Sequence, residues 1–133
     1  MLPTDIKAKL YIDHLVLTVR NIDTTADFYA KIFGKPDYQD KYQIMYHIGQ
    51  TKLFLCLPHG TLPQDDKFNA NRIGLEHFAV GVQTVEQLQA IQKALDSNSI
   101  RHSGIHIDKH SNKEKVWLND PDGIRLEFYI RPK

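Results

Sequence analysis

Apolar and polar positions along the first half of the chain alternate as in strands, except in one segment with helical spacing. Residues 10–20 combine β-branched and aromatic side chains, which indicates a strand. Capping residues follow at 21–24, apolar residues then recur at helical spacing up to Phe33, and Gly34 stands where a C-terminal cap is expected. Three short extended segments come next, over residues 37–40, 43–48 and 52–57. The pattern predicts one βαβββ unit.

The same order of elements restarts at residue 74. Residues 74–82 form a second predicted strand, in which Glu76–His77 takes the place of Asp13–His14 in the first. Thr84 and Gln87 make a capping-box signature ahead of a helical stripe of apolar residues. Further strands are predicted over residues 101–107, 113–119 and 124–130, with an Asp-Pro-Asp-Gly turn at 120–123. The chain therefore contains a second βαβββ unit.

This repeat predicts an α+β fold in a single domain over residues 1–133. Module one covers about residues 10–57 and module two about residues 74–131, with a linker at 58–73. The linker is rich in Pro, Gly, Asp and Asn and is longer than most connections. Two interpretations stay open for the linker, a lid over a binding site and plain slack between the modules.

Composition narrows the classes of function. A formal charge of +1 argues against a nucleic-acid or membrane-surface binder, since either usually needs a concentrated basic face. No apolar run approaches the roughly 18 residues that a membrane span requires. The single cysteine, Cys56, excludes an intramolecular disulfide framework, and we expect a cytoplasmic location. Seven histidines are the first indication of chemistry.

Three residues stand out when strand parity is considered, because side chains alternate between the two faces of a strand. His14, His77 and Glu127 all lie on the face opposite the bulky apolar residues that should pack under the helices. Two imidazoles and a carboxylate suit one divalent ion such as Fe, Mn, Ni, Co or Zn and leave positions open for substrate. The alternative interpretation is that these are hydrogen-bonded residues without a metal. The equivalent places of His14 and His77 in the two units, together with Glu127 in an otherwise apolar closing strand, favour the metal.

Several of these segments resemble the vicinal oxygen chelate superfamily of glyoxalase I, extradiol dioxygenases and bleomycin-resistance proteins. The matching pieces are residues 12–19, 75–80 and 119–128, and the Asp-Pro-Asp-Gly…Leu-Glu ending is the most specific. The resemblance implies a cup-shaped mixed β-sheet of two βαβββ modules with the helices outside, a metal that chelates neighbouring substrate oxygens, and a homodimer. His14, His77 and Glu127 match its ligand positions. The further Glu of glyoxalase I is missing, since neither Leu53 nor Phe54 can bind a metal.

We therefore expect a divalent-metal-dependent enzyme acting on a small molecule with vicinal oxygens, of lyase, isomerase or ring-cleaving dioxygenase type. The alternative is a metal-free small-molecule or drug-binding protein of the bleomycin-resistance type. No catalytic base can be assigned from the sequence. By parity and repeat position, the substrate pocket is predicted to include Phe54, Trp117 and Tyr129. His106 is a further candidate for the pocket, although it matches no motif.

Overall fold

The computed structural model describes residues 1–131 and confirms the repeated βαβββ order. A short 3₁₀ helix at Lys7–Lys9 precedes the first module. Module one contains β1 (His14–Thr18), α1 (Ile22–Phe33), β2 (Tyr38–Gln39), β3 (Gln43–Ile48) and β4 (Thr51–Cys56). Module two contains β5 (His77–Val82), α2 (Val85–Ser97), β6 (His106–Ile107), β7 (Glu114–Asn119) and β8 (Arg125–Ile130). The predicted α+β class is therefore confirmed.

Each module forms its own four-stranded mixed sheet. The strand orders are β1-β4-β3-β2 and β5-β8-β7-β6, and the pairs β1–β4 and β5–β8 are parallel. Val16 lies opposite Phe54 in the first sheet, and Ala79 lies opposite Glu127 in the second. Because Val16 and Ala79 each follow the strand histidine by two residues, Phe54 occupies in module one the place that Glu127 occupies in module two.

Local signals account for the ends of both helices. The Asn21 side chain accepts a hydrogen bond from the Thr24 N–H, and Gly34 ends α1 with a φ of 76°. The capping box predicted for α2 is present, with Thr84 and Gln87 bonding each other's backbone N–H groups. These interactions explain why the helices begin and end where polar caps and glycine interrupt the apolar stripes.

One apolar core joins the two sheets through their helix-covered faces. Phe33 of α1 lies with its ring centroid 5.5 Å from that of Tyr46 in β3 and 6.1 Å from that of Phe128 in β8. Phe33 is partly buried against this core, Leu17 and Leu126 are buried within it, and Val16, on the other face of β1, is 55% exposed. The faces that carry the candidate site residues therefore point away from the shared core.

β1 and β6 differ most from the predicted strands, and both are shorter than expected. β1 begins at His14, because residues 10–12 are exposed and pair with no strand. β6 is reduced to two residues, preceded by an isolated bridge between His102 and Leu118. Gly104, with a φ of 74°, turns the backbone between these two pairings, and regular extended geometry is lost there.

The linker lies against the ends of the strands. Arg20, two residues after the end of β1, donates a side-chain hydrogen bond to the Asp66 carbonyl, and Phe68 packs against the core. A cleft of about 290 Å³ lies between this segment and the end of β1. Among residues 1–131, no helix combines the length and the apolar character needed to cross a membrane.

Candidate metal centre

His77 and Glu127 meet on the outward face of the second sheet. They come from the neighbouring parallel strands β5 and β8, and His77 Nε2 lies 2.8 Å from Glu127 Oε2. The Glu127 side chain is only 3% exposed, and that of His77 is 35% exposed. A carboxylate is seldom buried this deeply unless a cation or several donors compensate it, so the partners of Glu127 decide what the site can bind.

An acidic neighbour orients each candidate histidine. His77 Nδ1 lies 2.9 Å from Glu76 Oε1, and His14 Nδ1 lies 2.7 Å from Asp13 Oδ2. A carboxylate can accept only from an Nδ1–H group, so each pair leaves Nε2 as the ligating nitrogen. In His77 this nitrogen faces the Glu127 carboxylate, and two acceptors at 2.8 Å require a proton or a metal ion between them.

Lys115 and Asp108 complete the cluster around Glu127. Lys115 Nζ lies 3.2 Å from Glu127 Oε1 and 3.3 Å from Asp108 Oδ1. Burial lowers the pKa of Lys115, but hydrogen bonds with Tyr129, Glu127 and Asp108 outweigh it and raise the pKa well above its ordinary value. By formal charge, one ammonium group faces two carboxylates, and one negative charge stays uncompensated. Such a cluster favours an additional cation.

His14 is separate from this cluster. It lies on the first sheet, its side chain is 52% exposed, and its contacts are Asp13 and the edge of the Phe54 ring, at a centroid distance of 5.8 Å. Within residues 1–131, no three side chains of His, Cys, Asp or Glu gather closely enough to hold a metal. One chain thus brings together two of the three predicted ligands, His77 and Glu127. The three-ligand site remains a prediction.

The predicted pocket residues divide between the two sheets. Trp117 pairs with Glu127 across β7 and β8, and its ring lies 3.9 Å from the Arg125 guanidinium. The Tyr129 ring lies 5.2 Å from Lys115 Nζ. Phe54 is beside His14 on the first sheet, and the exposed His106 contacts the Gly104 carbonyl at 3.0 Å. Only Trp117 and Tyr129 therefore lie next to Glu127.

A cavity adjoins the Glu127 cluster on the same face. It has a volume of about 560 Å³, and Ala79, Gly81, Tyr129 and Ser111 are among its lining residues. The small residues of β5 leave this space open, since a Cβ at position 81 would meet only the Arg131 Cβ, at 3.5 Å. The cavity is large enough for a small organic molecule, and it borders the Glu127 cluster at Tyr129 and Ser111, while neither His77 nor Glu127 lines it.

His77 and Glu127 fit a divalent metal of the borderline class. Their ligating atoms converge on one point, Nδ1 of His77 is already held by a carboxylate, and the cluster has excess negative charge. Two ligands are too few for a tight site. A third donor must come from outside this group of residues.

Sequence reasoning did not find Lys115 and Asp108. Parity alone could have placed Lys115 on the face of Glu127, since Lys115 and Trp117 alternate with the buried residues of β7. Asp108 carries no such signal. It reaches Lys115 because the turn after β6 returns to β7 through hydrogen bonds between Asp108 and residues 111–113.

Comparison with known proteins agrees with this architecture. Residues 11–128 match the model of the Glyoxalase/Bleomycin resistance protein/Dioxygenase superfamily. A trivalent organoarsenical cleaving enzyme of Bacillus sp. (strain MD1) is 31% identical over 127 residues, which cover 87% of this chain and 70% of that protein.

Solved structures show the same fold at low sequence identity. A glyoxylase/bleomycin resistance protein/dioxygenase domain from Frankia sp. EAN1pec has a TM-score of 0.73 at 21% identity and covers 93% of both chains. A lactoylglutathione lyase from Agrobacterium tumefaciens has a TM-score of 0.69 at 17% identity, covering 90% of this chain and 92% of the other. The chain belongs to the Glyoxalase/Bleomycin resistance protein/Dioxygenase superfamily.

Proposed function

We propose that this protein is a divalent-metal-dependent enzyme that acts on a small molecule with two adjacent oxygens. The observation that carries the proposal is the 2.8 Å approach of His77 Nε2 to the buried Glu127 carboxylate. His77, Glu127 and His14 would hold the ion. When bound, the metal would act as a Lewis acid that polarises the substrate oxygens.

The residues around the site have separate roles in this proposal. Glu76 holds His77 in the tautomer that presents Nε2. Trp117 and Tyr129 form walls next to Glu127, and the cavity above Ala79 and Gly81 receives the organic part of the substrate. The buried face excludes water from one side of the site.

The ligand set favours one reaction type. Two histidines and one carboxylate with open positions are typical of non-haem iron(II) oxygenases, which supports a ring-cleaving dioxygenase. The lyase or isomerase of the glyoxalase type has less support, because Phe54 occupies the place in module one that corresponds to Glu127. A hydrocarbon ring there can neither bind a metal nor move a proton.

The substrate named for the Bacillus relative is not carried over to this chain. Trivalent arsenic is soft and prefers thiolate ligands, and this sequence has one cysteine, Cys56. Burial is the main cause that raises the pKa of the Cys56 thiol, so its reactive thiolate form is disfavoured. The chemistry of the chain supports oxygen-containing substrates better. The unpaired thiol accords with the predicted cytoplasmic location.

A homodimer would supply the missing ligand. His14 of one copy would join His77 and Glu127 of another, since both outward faces point away from the chain's own core. The exposed Val16 and Ile12 beside His14 give the first sheet an apolar surface for such a contact. In a two-fold symmetric dimer this arrangement forms two equivalent sites.

Metal content tests the proposed metal site, on which the proposed function depends. Wild-type protein purified without chelator should contain, or take up, near-stoichiometric iron, manganese, nickel, cobalt or zinc by elemental analysis. His77→Ala and Glu127→Ala should lose the metal, and His14→Ala should weaken binding at least about tenfold, as the loss of one ligand implies. His106→Ala is the matched control and should bind normally. A wild type that stays empty after incubation with these ions contradicts the proposal.

Mixing two defective variants tests the dimer. If each site takes His14 from one copy and His77 from another, exchange between His14→Ala and His77→Ala proteins should restore metal to about a quarter of the sites. Random exchange makes half of the dimers mixed, and one of the two sites in each mixed dimer is intact. No restoration, with both variants folded and dimeric, would contradict a site shared between two copies.

One observation favours the second candidate function, a metal-free binding protein. Lys115 already neutralises one oxygen of Glu127, so protonated His77 could compensate the other without a metal. The cavity of about 560 Å³ would then bind the ligand alone. Binding of small molecules by protein that has been shown to bind none of the five metals would support this candidate.

A further inference from the structure

Lys115 lies beside the place where a metal would bind the Glu127 carboxylate. Its ammonium group is 3.2 Å from Glu127 Oε1, on the same carboxylate whose other oxygen faces His77 at 2.8 Å. The side chains of Lys115 and Glu127 are 15% and 3% exposed, so little water screens the interaction. A divalent ion that approached this carboxylate would meet a fixed positive charge a few ångströms away.

The two modules show that this lysine accompanies the carboxylate. Across β7 and β8, Lys115 pairs with Tyr129, two residues beyond the pair of Trp117 with Glu127. In the first sheet the corresponding pairs are Gln43 with Cys56 and Met45 with Phe54. The repeat therefore has an uncharged glutamine where the carboxylate is replaced by a phenylalanine. No backbone requirement of the fold demands a lysine at this place.

Lys115 also has a second partner that can hold it when Glu127 turns to a metal. Asp108 Oδ1 is 3.3 Å from its ammonium group, and Asp108 is itself fixed by the N–H and hydroxyl of Ser111, both at 2.9 Å. Lys115 can thus release Glu127 without leaving its place or losing its charge partner.

We propose that Lys115 is an internal counter-ion that sets the metal affinity of the site. In the metal-free protein it holds the Glu127 carboxylate beside His77, which keeps the ligand in position. A metal held between His77 and the Oε2 atom of Glu127 would lie beside this ammonium group, which Asp108 would keep in place. Lys115 is therefore a positioning residue that weakens metal binding while it keeps the empty site folded. The inference rests on the proposed metal-binding function.

Zinc affinity of four proteins tests this inference. Wild type, Lys115→Met, Lys115→Arg and Lys113→Met are titrated with zinc against a chromophoric chelator at one pH. Lys115→Met should bind zinc at least about tenfold more tightly, because a buried positive charge next to the ion is removed. Lys115→Arg keeps the charge and should stay within about threefold of wild type. Lys113→Met is the matched control, an exposed lysine just before the same strand, and should also stay within about threefold.

Unchanged or weaker zinc binding by Lys115→Met would overturn the inference. If wild type binds zinc and Glu127→Ala does not, that result leaves the proposed function intact. A wild type that binds none of the metals refutes both. If Lys115→Met does not fold, the double variant Lys115→Met with Asp108→Asn removes one carboxylate together with the ammonium group. Tighter binding by the double variant supports the inference, and unchanged or weaker binding contradicts it.

Discussion

Tyr29 connects the two modules through a single buried hydrogen bond. Its hydroxyl group, on α1 of module one, donates to Asp120 Oδ2 of module two at 3.0 Å. The other oxygen of Asp120 accepts from the N–H groups of Asp122 and Ile124, both at 2.9 Å, within the turn before β8. Burial is the main cause that raises the pKa of both Tyr29 and Asp120. This bond therefore positions the turn that leads into the strand of Glu127.

Removing the Tyr29 hydroxyl should destabilise the protein measurably. Tyr29→Phe leaves the buried Asp120 with an unsatisfied oxygen, and we expect a loss of about 1.5–3 kcal/mol in the free energy of unfolding, measured with urea. Tyr38→Phe is the control, since its hydroxyl bonds Asp40 at the exposed surface. It should change stability by less than about 0.5 kcal/mol. Equal losses of unfolding free energy in the two variants would show that the buried Tyr29–Asp120 bond stabilises the protein no more than an exposed one.

At the scale of elements, the turn between β6 and β7 is held by Asp108. Its backbone N–H donates to the Lys113 carbonyl, and its side chain accepts from the N–H and hydroxyl of Ser111. The Ser111 N–H is the main cause that lowers the pKa of Asp108, and the Ser111 hydroxyl and Lys115 act in the same direction against burial. The same side chain thus shapes the turn and contacts the Glu127 cluster.

The pKa of Asp108 predicts part of the acid sensitivity of this protein. Because the folded-state pKa is below the unfolded value of 3.8, the stabilisation from Asp108 is present above about pH 4 and is lost as the pH falls. Asp108→Asn should therefore flatten the dependence of unfolding free energy on pH between about 4 and 2. Urea denaturation at a series of pH values measures the slope. Ser111→Ala, which removes one of the hydrogen bonds, should flatten it only partly, and an unchanged slope in both variants contradicts the argument.

At the scale of the whole molecule, the modules share their core through α1. Phe33 packs near Tyr46 of the first sheet and Phe128 of the second, and it stacks on Tyr29 at a centroid distance of 6.2 Å. Each sheet thus buries its apolar face against helices that also contact each other. The two modules should unfold together, because neither can keep its core without the other.

Phe33→Ala should weaken both modules at once. We expect a loss of about 2 kcal/mol in unfolding free energy, less than for a fully buried aromatic residue, because Phe33 is only partly buried against the core. Trp117 fluorescence reports on module two, and hydrogen exchange of β3 and β4 amides reports on module one. The urea midpoint followed by Trp117 fluorescence and the exchange protection of the β3 and β4 amides should decrease together. Tyr42→Ala is the control, because Tyr42 is 59% exposed. It should lower the unfolding free energy by less than about 1 kcal/mol. Loss of protection in one module alone would mean that they are independent.

Periodicity and turn chemistry were sufficient to predict the elements. The α2 capping box and the turn before Ile124 were both recognised from polar residues at set spacings. The β3 bounds, Gln43–Ile48, agree with the prediction. Such features depend on contacts within a few residues, so a single sequence contains the whole signal. The lengths of β1 and β6 were overestimated because strand length depends on a pairing partner elsewhere in the chain.

The sequence by itself determined the repeat, the family resemblance and the face on which His14, His77 and Glu127 lie, because alternation and motif spacing are local properties. Only the tertiary structure decided which of these groups meet. It joined His77 to Glu127, since β5 and β8 are parallel neighbours, and left His14 on the other sheet. It also brought in Lys115, whose contact with Glu127 depends on strand register and on the turn at Asp108. Long-range packing, which no local pattern encodes, decides which charged and polar side chains gather around Glu127.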